Sequence, residues 1–504
     1  MTRECQQKSR ERIIIASLSA LAALCYACWL TDGHFRLFWR PGNGLNLTFN
    51  SMLEHLLRGE FDVDPAAVGI EGFSRDGRIF AYWGIYFALI RWPLTLFRGG
   101  LGIDVTYLSC FVAVCIAAYA KLRTLRLVYL RSPASATRNL LYGALTLTIL
   151  FAGPQIEFLR TTLFQEVCLW AGALAAIFGY FSIRGIILGR FSALSLCAMA
   201  LVAGLALIAR VSTGVGLYAA LGLLVLTILI RAPREGNDSE LVGRRATPFL
   251  ARILSVRFVL PMLILLLFSA LVGLVNYYRW GDPLVFADYR LYLTNSEEPG
   301  WLPLTQAYGL FNLSRIPFGI IYYFFPIWIL PRNDGHLLLE EHQRRFIEST
   351  ELPPSTFFLT DTLLMLLLLY ALWSLLSARR SAGIDRPSAL AIGSGLTAPC
   401  LLMLSAISMN FRYRIEFYPL IEFGAFLGFL LLCKHTLAAT TPRKVRTLAI
   451  ASTAVGILGS HVILIMYKVS AFGPAYEKMS GDVFHYYWWQ LKTYWPAIAS
   501  WIRH

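Results

Sequence analysis

The sequence is poor in charged residues. Asp, Glu, Lys and Arg make up 15% of its 504 residues, whereas hydrophobic residues make up 57% and the mean hydropathy is +0.57. A soluble domain needs more polar surface than this, so the composition indicates a polytopic membrane protein. The apolar runs show no strand-like alternation. Because lipid cannot satisfy exposed backbone groups, we expect the spans to be helices.

Motifs for nucleotide chemistry and for common hydrolases are also missing, since the chain has no P-loop, no HExxH and no GxSxG. Its nine cysteines lie in apolar runs or in the basic N-terminal segment, so we expect neither disulfides nor a cysteine-bound metal. The net charge of +15 does not indicate nucleic-acid binding, because Lys and Arg accumulate in the cytoplasmic loops of membrane proteins. Internal repeats and low-complexity tracts are absent as well.

The apolar runs predict an all-α polytopic transmembrane helix bundle. A span needs roughly 20 apolar residues, and about eleven runs meet this requirement. We expect the spans at about 13–30, 102–120, 140–152, 162–183, 192–209, 214–230, 258–275, 357–376, 389–407, 418–433 and 448–466.

Basic residues set the predicted orientation. The N-terminal segment is basic, so we place it in the cytoplasm and interpret the first run as an uncleaved signal-anchor. The bundle then covers 1–467 and carries two periplasmic loops, 32–101 and 276–355. The tail 468–504 is rich in Trp and is predicted to lie on the outer interface. This topology predicts a multi-pass membrane protein whose C-terminus lies on the outer face.

Two apolar segments in these loops are expected to lie in the membrane interface. The segment 80–97 is interrupted by Arg91, and as a span it would reverse the charge distribution of the following loops, so we predict an aromatic amphipathic helix there. The segment 316–330 is broken by Pro317 and Pro326 and is predicted to be interfacial or re-entrant.

Carboxylates of the first loop are the candidate catalytic groups, namely Glu54, Asp62, Asp64 and Glu71. Asp62 and Asp64 share one face if the FDVDP segment is extended. Paired carboxylates suit a general base or a divalent cation, Mg²⁺ or Mn²⁺. An equally good interpretation is that these two residues only cap the turn before the following proline.

Glu166 is the second candidate metal ligand, beside Asp64. It lies at the outer end of a predicted span, where an ionisable residue is costly without a partner or a wet cavity. The alternative is a local ion pair with Arg160 at the interface.

Arginines at the outer ends of several spans are candidate phosphate ligands. Arg210 lies in ARVSTG, and Arg412 and Arg414 flank Tyr413 in MNFRYRIEFYP. The guanidinium fork pairs bidentately with phosphate oxygens. Contact with lipid headgroups, or a salt bridge to Glu416, would explain the same residues without a substrate.

The arrangement resembles the GT-C class of polytopic glycosyltransferases, which use polyprenyl-phosphate-linked sugars, and in particular the bacterial protein mannosyltransferases and aminoarabinose transferases. The resemblance is best over 1–230, where an acidic outer loop follows the first span, and the segment RDGRIFAYWGIYFALIRWPL and the later RY…P run at Arg412–Pro419 add to it. The class has an acidic pair early in this loop, whereas this chain has Asn46 and Asn50 there.

The resemblance, together with the signal-anchor start, implies a multi-pass protein of a bacterial inner membrane with a periplasmic C-terminus. It also implies a single displacement. A loop carboxylate would deprotonate the acceptor hydroxyl, and arginines would stabilise the departing phosphate, with or without a divalent cation. The alternatives are a polysaccharide polymerase or ligase, a lipid or sugar transporter, and a non-catalytic membrane protein. A transporter would favour charges at mid-span, whereas the charges here cluster at the span ends.

Overall fold

The computed structural model describes residues 3–31, 35, 37–38, 44–153, 161–231, 255–325, 349–350, 356–377, 384–436 and 441–469. Helices dominate this part of the chain. The α-helices are α1 (Arg3–Leu30), α2 (Thr48–Leu57), α3 (Pro65–Val68), α4 (Tyr86–Ile90), α5 (Thr106–Arg131), α6 (Ala136–Phe151), α7 (Leu163–Leu188), α8 (Ala193–Ala209), α9 (Val211–Arg231), α10 (Val256–Trp280), α11 (Trp301–Tyr308), α12 (Ile316–Phe324), α13 (Phe357–Thr360), α14 (Thr362–Leu376), α15 (Arg386–Leu404), α16 (Tyr418–His435) and α17 (Arg443–Val469).

The helices confirm an all-α membrane bundle. Eight described helices are long and apolar enough to cross a membrane: α1, α5, α7, α9, α10, α15, α16 and α17. Two other apolar helices, α8 and α14, are shorter. A helix lies at each of the predicted span positions, because long apolar runs leave the backbone no other way to satisfy its hydrogen bonds in lipid.

The bundle core is built by α7 and its neighbours. Helix α7 packs against α5 and α8, and α9 packs against both α8 and α15. Gly395 of α15 allows the last of these contacts, because a Cβ atom there would lie 2.2 Å from the backbone nitrogen of Ala220. Small residues at such crossings let helix backbones approach closely in membranes.

Two small sheets complete the described structure. Strands β1 (Phe73–Arg75) and β2 (Arg78–Phe80) form an antiparallel hairpin in the first loop. Strands β3 (Ser349–Thr350) and β4 (Ser408–Met409) pair in parallel. The hairpin turn contains Asp76 and Gly77, both at positive φ, a conformation that Asp and Gly adopt more readily than other residues.

The segment 80–97 does not form the single helix that we expected. It continues from β2 into α4 and then into a 3₁₀ helix, Trp92–Leu96. Pro93 lies in the first turn of the 3₁₀ helix, where its fixed φ is tolerated but a preceding α-helix cannot continue through it. Several of its side chains pack against the bundle core, including Phe87 and Ala88, which are fully buried.

The later predictions are covered in part. Helix α12 accounts for 316–324 of the predicted interfacial segment, and 326–330 lie outside the described residues. Of the predicted tail, only the backbone of 468–469 is described, as the end of α17.

A buried ion pair joins α5 to α16. Lys121 Nζ lies 2.5 Å from a carboxylate oxygen of Glu422, and both side chains are less than a tenth exposed. Replacing one partner of a buried pair leaves an uncompensated buried charge, whereas replacing both partners with apolar residues leaves an apolar contact. The pair therefore fixes how these two helices meet.

We expect Glu422→Ala to destabilise the protein by about 3–5 kcal/mol, because Lys121 is then buried without its partner. Denaturant-induced unfolding in detergent micelles measures this change. The control is the double variant Lys121→Met/Glu422→Met, which should recover most of the loss. A double variant no more stable than Glu422→Ala would contradict the interpretation.

Candidate functional site

The first loop packs directly on the end of α8. A Cβ atom at Gly84 would lie 1.9 Å from the carbonyl oxygen of Ile208, so only glycine fits here. The neighbouring residue, Trp83, accepts a 2.8 Å hydrogen bond at its carbonyl oxygen from Arg279 of α10. These contacts place the first loop beside the α8–α9 junction, where Arg210 lies.

Arg210 is held by Glu416. Its Nε donates to one carboxylate oxygen of Glu416, which also accepts from Ser212 at 2.5 Å, while Thr213 donates to the other oxygen at 2.7 Å. The Glu416 side chain is fully buried, and Arg210 is 15% exposed. No described residue accepts a hydrogen bond from the two terminal nitrogens of Arg210. The predicted salt bridge therefore exists, but it uses only one edge of the guanidinium group.

Arg412 and Arg210 both contact the aromatic ring of Tyr413. The guanidinium carbons of both arginines lie 5.5 Å from the centroid of the Tyr413 ring. Arg412 also lies 4.7 Å from the ring of Phe164, which in turn packs edge-on against Trp83 of the first loop. We call Arg210, Ser212, Thr213, Arg412, Tyr413 and Glu416 the arginine site.

Arg414 does not join the arginine site. Its guanidinium is fully buried and donates to Asp361 at 2.7 Å, to Thr360 at 2.8 Å and to Tyr418 at 2.9 Å. The residue lies on a 3₁₀ helix, Phe411–Glu416, in which side chains two positions apart point in different directions. This is why Arg412 and Arg414, which are separated only by Tyr413, have different surroundings.

Glu71 is the loop carboxylate that shares a neighbour, Tyr82, with Arg412. It accepts a 2.6 Å hydrogen bond from the Tyr292 hydroxyl, which ties the first loop to the loop after α10. Burial raises the pKa of Tyr82 well above its usual range, the charge of Glu71 raises it further, and the charge of Arg412 acts in the opposite direction. Glu71 and Arg412 thus act on the same half-buried tyrosine.

The other predicted carboxylates lie around His55. Nδ1 of His55 lies 3.0 Å from Asp62 and 3.6 Å from Glu60, and Nε2 lies 3.4 Å from Asp64. Asp64 also accepts from the Ser51 hydroxyl at 3.0 Å. We call His55, Glu60, Asp62 and Asp64 the His55 cluster.

The His55 cluster has the donor set of a cation site. Ligand atoms of His55, Glu60 and Asp62 lie within 4.8 Å of one another, and a mixed nitrogen and oxygen set suits Mn²⁺ better than Mg²⁺. Without a cation, burial lowers the pKa of His55, but hydrogen bonds and charges of Asp62 and Asp64 outweigh burial and raise it.

Glu54 and Glu166 have partners of their own. Glu54 is exposed and pairs with Arg58 one helical turn away. Glu166 is fully buried, and Arg91 donates to both of its oxygens, at 2.9 and 2.7 Å. Asp64 and Glu166 therefore lie in different clusters. The alternative partner Arg160 lies outside the described residues.

Asn46 and Asn50 are required by their surroundings. Asn46 donates at 2.9 Å to Asp104, and the Asn50 amide nitrogen donates at 2.8 Å to the carbonyl oxygens of Leu101 and Ile103. The Asn50 amide oxygen accepts at 2.8 Å from Arg91. Both positions need N–H donors, which a carboxylate lacks. The acidic pair of the GT-C pattern is therefore incompatible with these contacts.

Sequence reasoning missed Arg91 and Asp104 as parts of this network. In the sequence, Arg91 only interrupts an apolar run, and Asp104 falls within the predicted span 102–120. Their burial, 2% and 1% exposed, is the signal that matters, and a single sequence does not contain it.

We expect Asn46→Asp to destabilise the protein by about 1–3 kcal/mol, because it replaces a donor with an acceptor facing the buried Asp104 carboxylate. Thermal unfolding in detergent measures the loss. The exchange Asn46→Asp/Asp104→Asn restores one donor and one acceptor and should recover stability. An exchange variant as unstable as the single variant would show that this contact is not the cause.

The known structures to which this chain is similar are distant ones. No family model matches the chain, and no curated protein matches its sequence. The solved apo form of the oligosaccharyltransferase of Archaeoglobus fulgidus matches with a TM-score of 0.49 and 13% identity, over 91% of this chain and 56% of that chain.

Two further oligosaccharyltransferase structures from the same organism match this chain at similar TM-scores and identities. One is the oligosaccharyltransferase tethered to an acceptor peptide containing the NVT sequon, with a TM-score of 0.43 and 11% identity over 91% of this chain and 56% of that chain. The other is the oligosaccharyltransferase AglB in complex with an inhibitory peptide and a dolichol-phosphate, with a TM-score of 0.45 and 12% identity over 92% of this chain and 57% of that chain.

This chain therefore spans little more than half the length of the matched oligosaccharyltransferases. At these identities and TM-scores the matches support no statement about the activity of this chain. The described helices make the chain a multi-pass helical membrane protein.

Proposed function

We propose that the protein is a membrane glycosyltransferase that moves a sugar from a polyprenyl-phosphate donor to an acceptor hydroxyl at the arginine site. The observation that carries this proposal is the convergence of Arg210 and Arg412 on one tyrosine ring, at the end of an apolar helix bundle. The positive-inside distribution of Lys and Arg supports placing this end on the periplasmic side of a bacterial inner membrane.

The charge of the site favours a phosphate. Arg210 and Arg412 bring two guanidinium groups to one aromatic ring, in surroundings of low dielectric where interactions with an anion are strong. Nε of Arg210 is fixed by Glu416, so its terminal nitrogens are oriented in advance for a bidentate contact. Ser212 and Thr213 hold Glu416 in place and thereby orient Arg210.

Glu71 is our assignment for the general base. Glu71 and Arg412 each act on the pKa of Tyr82, which supports a position of Glu71 near the leaving phosphate. Asp62 and Asp64 are engaged by His55, and Glu54 is paired with Arg58. The hydrogen bond from Tyr292 would orient the Glu71 carboxylate.

The reaction is then a single displacement. The acceptor oxygen forms a bond to the anomeric carbon as its proton passes to Glu71. The bond from the anomeric carbon to the phosphate oxygen breaks, and Arg210 and Arg412 stabilise the charge that develops on the polyprenyl phosphate. The configuration at the anomeric carbon is inverted.

A divalent cation would be held by His55, Glu60 and Asp62, with Asp64 adjacent. When bound there, it would offset the excess of negative charge that three carboxylates create in the first loop. Glu166 would not take part in such a site, because both of its oxygens accept from Arg91.

Removal of either arginine of the site should abolish transfer. We expect Arg210→Ala and Arg412→Ala to lower the transfer rate by at least about 100-fold, as loss of one charge-stabilising donor does in other enzymes. The measurement is transfer of radiolabelled sugar from a panel of polyprenyl-phosphate donors in proteoliposomes. The control is Arg290→Ala, since Arg290 is exposed and pairs only with Asp288.

Full activity in both arginine variants would contradict the proposed phosphate site. The wild-type protein could instead move polyprenyl phosphate between leaflets and give no glycosylated product from any donor. That result would favour the interpretation of the protein as a transporter.

Glu71→Gln should separate chemistry from binding. We expect kcat to fall by about 100-fold or more, because the proton acceptor is lost, while the affinity for polyprenyl phosphate, measured by native mass spectrometry, stays the same. Asp62→Asn and Asp64→Asn are the matched variants, and each should keep most of the transfer rate. An active Glu71→Gln beside an inactive Asp62→Asn or Asp64→Asn would move the base to the His55 cluster.

A further inference from the structure

A basic pocket lies at the opposite end of α8 from the arginine site. It has a volume of about 460 Å³, and its lining includes Arg184, Arg190 and Arg257. Arg210 directly follows the last residue of α8, whereas Ala193, the first residue of α8, lines the pocket. A helix of 17 residues is about 25 Å long. The two sites are thus separated by roughly the thickness of the hydrocarbon core.

The pocket is cationic and contains no compensating acid. None of its lining residues is Asp or Glu, and no described carboxylate pairs with Arg184, Arg190 or Arg257. Arg257 donates to the carbonyl oxygen of Phe191 at 2.7 Å, but its Nε is buried without a hydrogen-bond partner among the described residues. The three arginines therefore give the pocket a positive charge that no described acid offsets.

The local backbone holds the pocket in shape. Gly189 caps the C-terminus of α7 with a left-handed φ of 63°. The Ser192 hydroxyl caps the N-terminus of α8, where it accepts a 3.2 Å hydrogen bond from the backbone nitrogen of Ser195. Gly185 leaves room for the Phe191 ring, because a Cβ atom there would lie 2.0 Å from it. Phe191 is buried and lines the pocket. The turn between α7 and α8 therefore has little freedom to rearrange.

We infer that this pocket binds the phosphate of an anionic membrane lipid on the side of the membrane opposite to the arginine site. Arginine forks match phosphate oxygens, and the N-terminus of α8 adds a favourable dipole for an anion. The pocket lies at the ends of membrane helices, where basic pockets between spans meet anionic headgroups. This inference does not rest on the proposed glycosyl transfer.

Native mass spectrometry of the full chain tests the inference. The probes are dioleoylphosphatidylglycerol, dioleoylphosphatidylcholine and inorganic phosphate. The test variant is Arg184→Gln/Arg190→Gln, because both residues are exposed and neither side chain has a hydrogen bond within the described residues. The matched control is Arg123→Gln/Arg126→Gln, which removes the same charge from exposed positions toward the same end of the bundle on α5.

We expect the test variant to bind phosphatidylglycerol roughly tenfold more weakly than the control variant does, since each arginine at a lipid phosphate contributes a factor of several. Binding of phosphatidylcholine should be equal in both. Arg184→Lys/Arg190→Lys keeps the charge without the fork and should be intermediate. Melting temperatures of the variants show that each is folded.

Equal loss of phosphatidylglycerol in the test and control variants would overturn the inference, because binding would then follow surface charge alone. Displacement of the lipid by millimolar inorganic phosphate would also overturn the assignment to a lipid, because the pocket would then take a free phosphate group.

Discussion

Charged side chains inside an apolar bundle are stable only with partners, and this constraint organises the structure. Lys121 pairs with Glu422, Arg91 with Glu166 and Arg414 with Asp361. Each pair joins segments distant in sequence, so each fixes a packing that apolar contacts alone would leave less specific. The pairs lie between helices or between a helix and a loop, where they replace the solvation that lipid cannot supply.

The arginine site combines one ion pair with contacts between arginines and aromatic rings. Glu416 binds Arg210 through Nε only, and the second arginine of the site, Arg412, contacts aromatic rings. The packing of Gly84 on Ile208 brings the first loop, with Glu71, to the same end of the bundle. Guanidinium groups, aromatic surfaces and a loop carboxylate are together what a phosphate-linked donor and an acceptor hydroxyl require.

The spans were predictable from the sequence because length and hydropathy alone determine them. The pairing of charges was not. Arg412 and Arg414 look equivalent in MNFRYRIEFYP, yet one belongs to the arginine site and the other is fully buried against Asp361. Likewise, FDVDP suggested a base or a cation site, but His55, seven residues before Asp62, determines what these carboxylates contact. Such choices depend on neighbours brought from other parts of the chain, which periodicity does not reveal.

The most direct test of the central claim is a structure of the protein with bound polyprenyl phosphate, determined in lipid nanodiscs. The account predicts phosphate density within hydrogen-bond distance of the Arg210 terminal nitrogens and of Arg412, with the prenyl chain leaving between helices toward lipid. An ordered phosphate elsewhere on the protein, with the arginine site unchanged, would contradict the account.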